Sequence, residues 1–228
     1  MISFVQNFIC TKEARLKVLN TNLPKIGNVF KDTPFYINYN TKVNYDEVYK
    51  LYKDNISNLT FNNDLDENWG KVTLDLVKKV KTPYVITHCE DYEYDITDTE
   101  WNELMEEIVE RDISYLPIGR LWKYTREQYL NGYDEGKNLW LYSANKSPGS
   151  SLSVDAIYKT DMLIEKLEEL VTYYPTARRF PLSLPHHFED IFHEPNGVTM
   201  WGSKIKCAIP KREIIKHNCD DTETMLNK

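Results

Sequence analysis

Apolar positions along the chain change period several times, and each change predicts an element. Residues 2 to 10 form an apolar, aromatic run suited to a buried strand. From Thr11, placed to cap a helix, the period becomes helical, with Ala14, Leu16, Val18, Leu19 and Leu23 facing inward. After Pro34, Phe35, Ile37 and Tyr39 alternate with Tyr36 and Asn38 as in a strand. Asn44 or Asp46 starts a second helix through Val48, Leu51 and Tyr52, and residues 56 to 61 give a third strand that runs into NNDLDEN. Trp69, Val72, Leu76, Val77 and Val80 return to helical spacing before Pro83, with Lys78, Lys79 and Lys81 in the last turn, where cations suit the helix dipole.

The next stretch, TPYVITHCEDYEYD at residues 82 to 95, is the organising one. Tyr84, Val85 and Ile86 suit a buried strand, and Glu90, Asp91, Glu93 and Asp95 follow within six positions, a density of like charge that calls for a cation or a basic ligand. Thr97 and Glu100 then match a capping box ahead of Trp101, Leu104, Met105 and Ile108. Strands are predicted over 113–118, 139–143 and 152–158. A helix follows from Asp161 through Leu163, Leu167, Leu170 and Val171, and a final hairpin is formed by 198–201 and 204–209.

Strands alternating with helices predict an α/β domain with a mixed, mostly parallel central sheet flanked by helices, in which ligands bind beyond the carboxyl ends of the strands. Four successive ends are polar: Thr11, then Asn38 and Asn40, then Asp64 and Asp66, then the acidic run. One domain is expected over residues 1–217, with 218–228 as a flexible tail.

Composition narrows the partners. A formal net charge of −7 argues against non-specific nucleic-acid binding, so an anionic substrate needs a metal or a local basic pocket. Cys10, Cys89, Cys207 and Cys219 form no CxxC pair, which fits a reducing compartment. No apolar run approaches the ~20 residues that span a bilayer, and MISFVQNFIC lacks the basic start of a secretory signal. A cytoplasmic protein without a transmembrane segment is expected.

Hard oxygen ligands such as Asp91 and Glu93 suit Mg2+ or Mn2+, whose remaining positions a diphosphate can fill. In NWG at 68–70 opening a helix, TPYV at 82–85 entering a central strand and CEDYE at 89–93, the chain resembles the GT-A glycosyltransferases, specifically the small inverting enzymes of that fold. The resemblance covers residues 1–95 in order of elements and, more loosely, 150–194. Its Asp-x-Asp motif falls on Cys89, Glu90 and Asp91, with Cys89 in place of the first Asp.

The resemblance implies a single GT-A-like (nucleotide-diphospho-sugar transferase) domain that moves a sugar from a nucleotide-sugar donor to a glycan or other hydroxyl acceptor. It implies donor contacts at Thr11, Asn38, Asp66 and Glu90, and Mn2+ or Mg2+ on Asp91, with Glu93 and His217 as further ligands. The base that takes the acceptor proton is expected at Asp190, with Glu189 beside it. Arg178, Arg179, Lys204 and Lys206 are candidates to balance donor phosphates. Two other readings remain: a metal-dependent hydrolase in which His186, Asp190 and His193 share a helical face, and a non-catalytic sugar-nucleotide-binding homologue, suggested by Cys89.

Overall fold

The first strand, β1 (Ile2–Phe8), sits inside the sheet and sends apolar side chains to both faces: Ile2, Phe4 and Phe8 point to one side and Val5 to the other. The computed structural model describes residues 1–66, 68–90, 92–118, 134–143, 155–173 and 206–217. After β1 come α1 (Glu13–Val29), β2 (Phe35–Tyr39), α2 (Tyr45–Asn55), β3 (Leu59–Asn62), α3 (Trp69–Val77), β4 (Tyr84–Thr87), β5 (Tyr92–Tyr94) and α4 (Asp98–Glu110). Then follow β6 (Tyr115–Pro117), β7 (Asp134–Glu135), β8 (Leu139–Ser143), β9 (Ala156–Lys159), α5 (Thr160–Tyr173), β10 (Lys206–Pro210) and β11 (Ile215–His217).

The described strands form a nine-stranded sheet in the order β3-β2-β1-β4-β9-β6-β10-β8-β7 and a two-stranded one, β11-β5. Strands β3, β2, β1 and β4 run parallel, whereas β9 runs antiparallel between β4 and β6. Strand β10 is parallel to β6 and antiparallel to β8. Helices α1, α2 and α4 cover one face, packing Leu19, Leu23, Ile26, Tyr52, Trp101 and Ile108 against Phe4, Phe35, Ile37 and Ile86. Helices α3 and α5 cover the other, with Leu76, Val77, Leu163 and Leu167 against Val5, Val85 and Tyr158.

Several expectations shift in detail. Helix α1 starts one residue later than a Thr11 cap requires, with Lys12 at its N-cap and no side-chain cap. Its buried stripe is Leu16, Leu19, Leu23 and Ile26, spaced i, i+3, i+7 and i+10; Ala14 falls off that stripe and is exposed. Asn68 caps α3 by accepting the Lys71 N–H at 2.9 Å, but α3 ends at Val77, so Lys79 and Lys81 follow it in a turn held by Lys79 N–H on the Leu76 carbonyl. The Thr97–Glu100 capping box forms as read from the sequence. The described part of the expected 152–158 strand is β9 from Ala156, and β10 pairs with β6 and β8; residues 152–154 and 198–201, the latter its expected hairpin partner, lie outside the described residues. No helix among the described residues is long and apolar enough to cross a membrane.

Candidate functional site

From β1 the chain moves outward to β2 and β3 and then returns to the other side of β1 as β4. That reversal is a topological switch point, where the connections leave in opposite directions and open a crevice at the carboxyl ends of the strands. The polar residues expected at four strand ends gather there, because the parallel pairing of β3, β2, β1 and β4 puts all four ends on one side.

On the β2–β3 side, asparagines order the loop into α3. Asn38 donates to Asn7 Oδ1 and to the Asp64 carbonyl, both at 3.0 Å, and accepts the Asp64 N–H at 2.7 Å. Asn40 donates to the Asp66 carbonyl at 2.9 Å, and Trp69 Nε1 donates to the Asn7 carbonyl at 3.3 Å. Asp66 accepts the Asn68 N–H and pairs with Lys71 at 2.8 Å, and that lysine, more than the N–H, holds its carboxyl below the usual range. Asn38 thus shapes the loop, with Asp66 tied to the first turn of α3. Thr11 is exposed and lines an open groove of about 470 Å3 with Leu16, Asn20, Asn44 and Glu47, between the starts of α1 and α2.

On the β4 side the backbone continues the sheet as His88 N–H donates to the Val5 carbonyl at 3.2 Å. The His88 ring is buried edge-on to Phe4 at 6.0 Å, with Nδ1 3.4 Å from the Tyr94 hydroxyl. Burial lowers its pKa to about 3, so it is neutral at pH 7. Glu90, 2% exposed, faces Arg15 of α1 at 2.8 Å. A carboxylate so buried needs such a partner. Its charge also reaches the Tyr39 hydroxyl, which burial first, and then the neighbouring Cys10 and Glu90, push up to about 12.

One face of α1 holds the acidic stretch at three places: Arg15 on Glu90, buried Asn22 on the Tyr92 carbonyl at 3.2 Å, and Lys25 on Glu93. Residues 15, 22 and 25 recur at i, i+7 and i+10, which places them on one side of the helix. From the other side β11 pairs with β5 in a register that sets His217 opposite Tyr92 and Lys216 opposite Glu93. Lys216 also pairs with Asp95 at 2.6 Å and holds that carboxyl below the usual range. The far end of the chain is thereby brought to the acidic stretch 121 residues earlier.

Glu90 and Glu93 are therefore both engaged by cations. Asp91, Glu189 and Asp190 lie outside the described residues, as do His186, His193, Arg178, Arg179 and Lys204; for His217 only the backbone pairing is described. Among the described residues no three His, Cys, Asp or Glu side chains gather to hold a metal ion. Lys206 donates to the Arg111 carbonyl at 3.2 Å, at the opposite end of β6 from the crevice, and so does not reach it.

Three residues of the site were not singled out in the sequence. Asn7 breaks the apolar run of β1, a signal that was available. Arg15 is a cation in the first turn of a helix, against the dipole, which points to a nearby anion. Asp155, 2% exposed, accepts the Cys89 N–H at 3.1 Å from the start of β9. An acid inside a predicted strand was its only mark.

Neither a family model nor a curated protein sequence matches the chain. Solved structures do. Staphylococcus aureus TarS 1–349 matches with a TM-score of 0.60 and 13% identity, covering 94% of this chain and 59% of that one. The same protein in complex with UDP matches with a TM-score of 0.60 at 12% identity over the same shares. Its complex with UDP-GlcNAc matches with a TM-score of 0.50 and 14% identity over 72% of this chain and 46% of that one. The chain thus spans about three fifths of the length of TarS 1–349. The fold is GT-A-like: α/β, with a large, mostly parallel central sheet between helices.

Proposed function

We propose that the protein is a glycosyltransferase that moves a sugar from a nucleoside-diphosphate sugar to an acceptor hydroxyl, with inversion at the anomeric carbon. One observation carries the reading. Four polar strand ends converge on the switch-point crevice of a GT-A-like sheet, and β11 sets the backbone of His217 beside the acidic stretch at its centre. TarS, which shares the fold, has been solved with UDP and with UDP-GlcNAc, and these are the first ligands to try.

In this reading the nucleoside sits over the ends of β1 to β3, against Thr11 and the loop that Asn38 and Asn40 order. The diphosphate lies toward the end of β4, near the Arg15–Glu90 pair. Two leaving-group negative charges in a protein of net charge −7 need compensation. Glu90 and Glu93 are engaged by Arg15 and Lys25, and in this reading Asp91 and His217 would hold Mn2+ or Mg2+. A carboxylate oxygen with an imidazole nitrogen suits Mn2+ well, and the bound ion would neutralise the departing diphosphate. Asp190, or Glu189 beside it, takes the proton from the acceptor hydroxyl as that oxygen attacks in line with the leaving group.

Thermal unfolding of the full chain with UDP- and GDP-sugars, each with and without Mn2+, tests the donor reading. A donor at ~100 times its Kd adds about 2.7 kcal/mol and raises Tm measurably. If no nucleotide sugar moves Tm even with metal present, the reading fails. Metal binding is read separately by titration of Mn2+ into the wild type and into Asp91→Asn; equal affinity would place the ion elsewhere.

A further inference from the structure

The loop that leaves β4 is gripped from two directions, and the second grip comes from a strand the donor site was not expected to use. Strand β9 runs antiparallel to β4 with Ala156 opposite Thr87, so the residue before it, Asp155, is delivered beside the point where β4 ends. Its Oδ1 accepts the Cys89 N–H at 3.1 Å, and its own carbonyl accepts the Ile118 N–H, just past β6, at 2.9 Å. One residue thereby spans the carboxyl ends of two strands. Asp155 is 2% exposed, so its side-chain oxygens must find their partners within the protein. One residue earlier, the backbone N–H of His88 is satisfied by a backbone carbonyl, that of Val5. The Cys89 N–H goes instead to a side-chain acceptor seated at the start of a neighbouring strand. It suits a peptide group whose orientation must not drift. Directly after that peptide group, Glu90 is held from the opposite side by Arg15 at 2.8 Å.

We infer that Asp155 is a positioning residue for the nucleotide-sugar site: by fixing the Cys89 peptide from the β9 side, it sets the direction in which the chain presents Glu90. The inference rests on the glycosyltransferase reading for its purpose, though not for its geometry. The carboxylate acts through the backbone, so its effect follows the hydrogen bond more closely than the charge.

Amide hydrogen exchange and donor titration on the full chain, for the wild type, Asp155→Asn and Asp155→Ala, test it. In the wild type the Cys89 amide exchanges slowly. Asp155→Asn keeps an acceptor and retains partial protection, with donor affinity within about fivefold. Asp155→Ala loses protection at Cys89 while amides of β1 and α4 stay protected, and donor affinity falls by tenfold or more. A merely structural role would lower Tm yet leave the Kd of the folded fraction unchanged, and that result overturns the proposal. So does an Asp155→Asn variant as weak as Asp155→Ala with Cys89 still protected, which would make the carboxylate a direct donor contact. Should Asp155→Ala not fold, the wild type and Asp155→Asn decide, because an unprotected Cys89 amide in the wild type overturns the proposal outright. A wild type that binds no nucleotide sugar sinks the glycosyltransferase reading alone, since exchange at Cys89 is measured without ligand.

Discussion

Arg15 and Glu90 stand 75 positions apart in the chain and 2.8 Å apart at the site, and removing either takes a charged partner from the other. Breaking a fully buried pair costs ~3–5 kcal/mol; with 34% of the Arg15 side chain in solvent, about 1–3 kcal/mol is expected for Arg15→Ala. Urea unfolding reads it, and adding Glu90→Gln should recover part of the loss. If Arg15→Ala costs nothing, the Arg15–Glu90 pair does not hold α1 to the acidic stretch. His88 gives a second test. Its folded pKa of about 3 lies below the ordinary 6.5, so the unfolded chain binds the extra proton between those values. Its contribution to stability is complete above pH 6.5 and falls by about 1.4 kcal/mol per unit as pH drops toward 3. His88→Phe should flatten that part of the urea-midpoint profile; an unchanged slope would mean the ring is solvated. At this scale the sequence supplied the candidates but not their duties. It flagged Asn38 and Asp66 as donor contacts; that Asn38 also bonds Asn7 and Asp64, and Asp66 Lys71 and Asn68, came only with the structure. Partners across loops leave no periodic trace.

Elements with a local signature were legible, and those made by distant pairing were not. The Thr97–Glu100 box is written in adjacent residues and forms in the structure. Strands β5 and β11 have three residues each, too short for any period, and exist because each pairs with the other. Helix α1, which carries Arg15, Asn22 and Lys25, is itself seated by a close approach to α2: a side chain at Gly27 would run into the carbonyl of Asn55. Alanine is the better helix former by ~1 kcal/mol, but the obstacle is backbone and cannot rotate away, so the clash wins. Gly27→Ala should destabilise the protein by about 1–2 kcal/mol and loosen the hold of α1 on the acidic stretch. Urea unfolding gives the first effect and amide exchange at Tyr92 and Tyr94 the second. A more stable variant would mean that α1 and α2 separate freely.

For the whole molecule, alternation of strand and helix in the first 87 residues was enough to anticipate four parallel strands with their polar ends together. Alternation does not encode the antiparallel insertion of β9 between β4 and β6, and this is why Asp155 entered only with the sheet order. The central claim is that a nucleotide sugar binds at the crevice where those ends meet. A backbone-amide NMR titration of the full chain with UDP-GlcNAc, followed by Mn2+, addresses it most directly, since it reports place as well as affinity. The donor should shift amides of residues 9–12, 38–40, 64–70 and 88–93, and Mn2+ should then broaden most strongly those near Tyr92 and His217. Shifts gathered instead around Arg111 and Lys206, at the opposite end of the sheet, or no shift at any donor concentration, would contradict it.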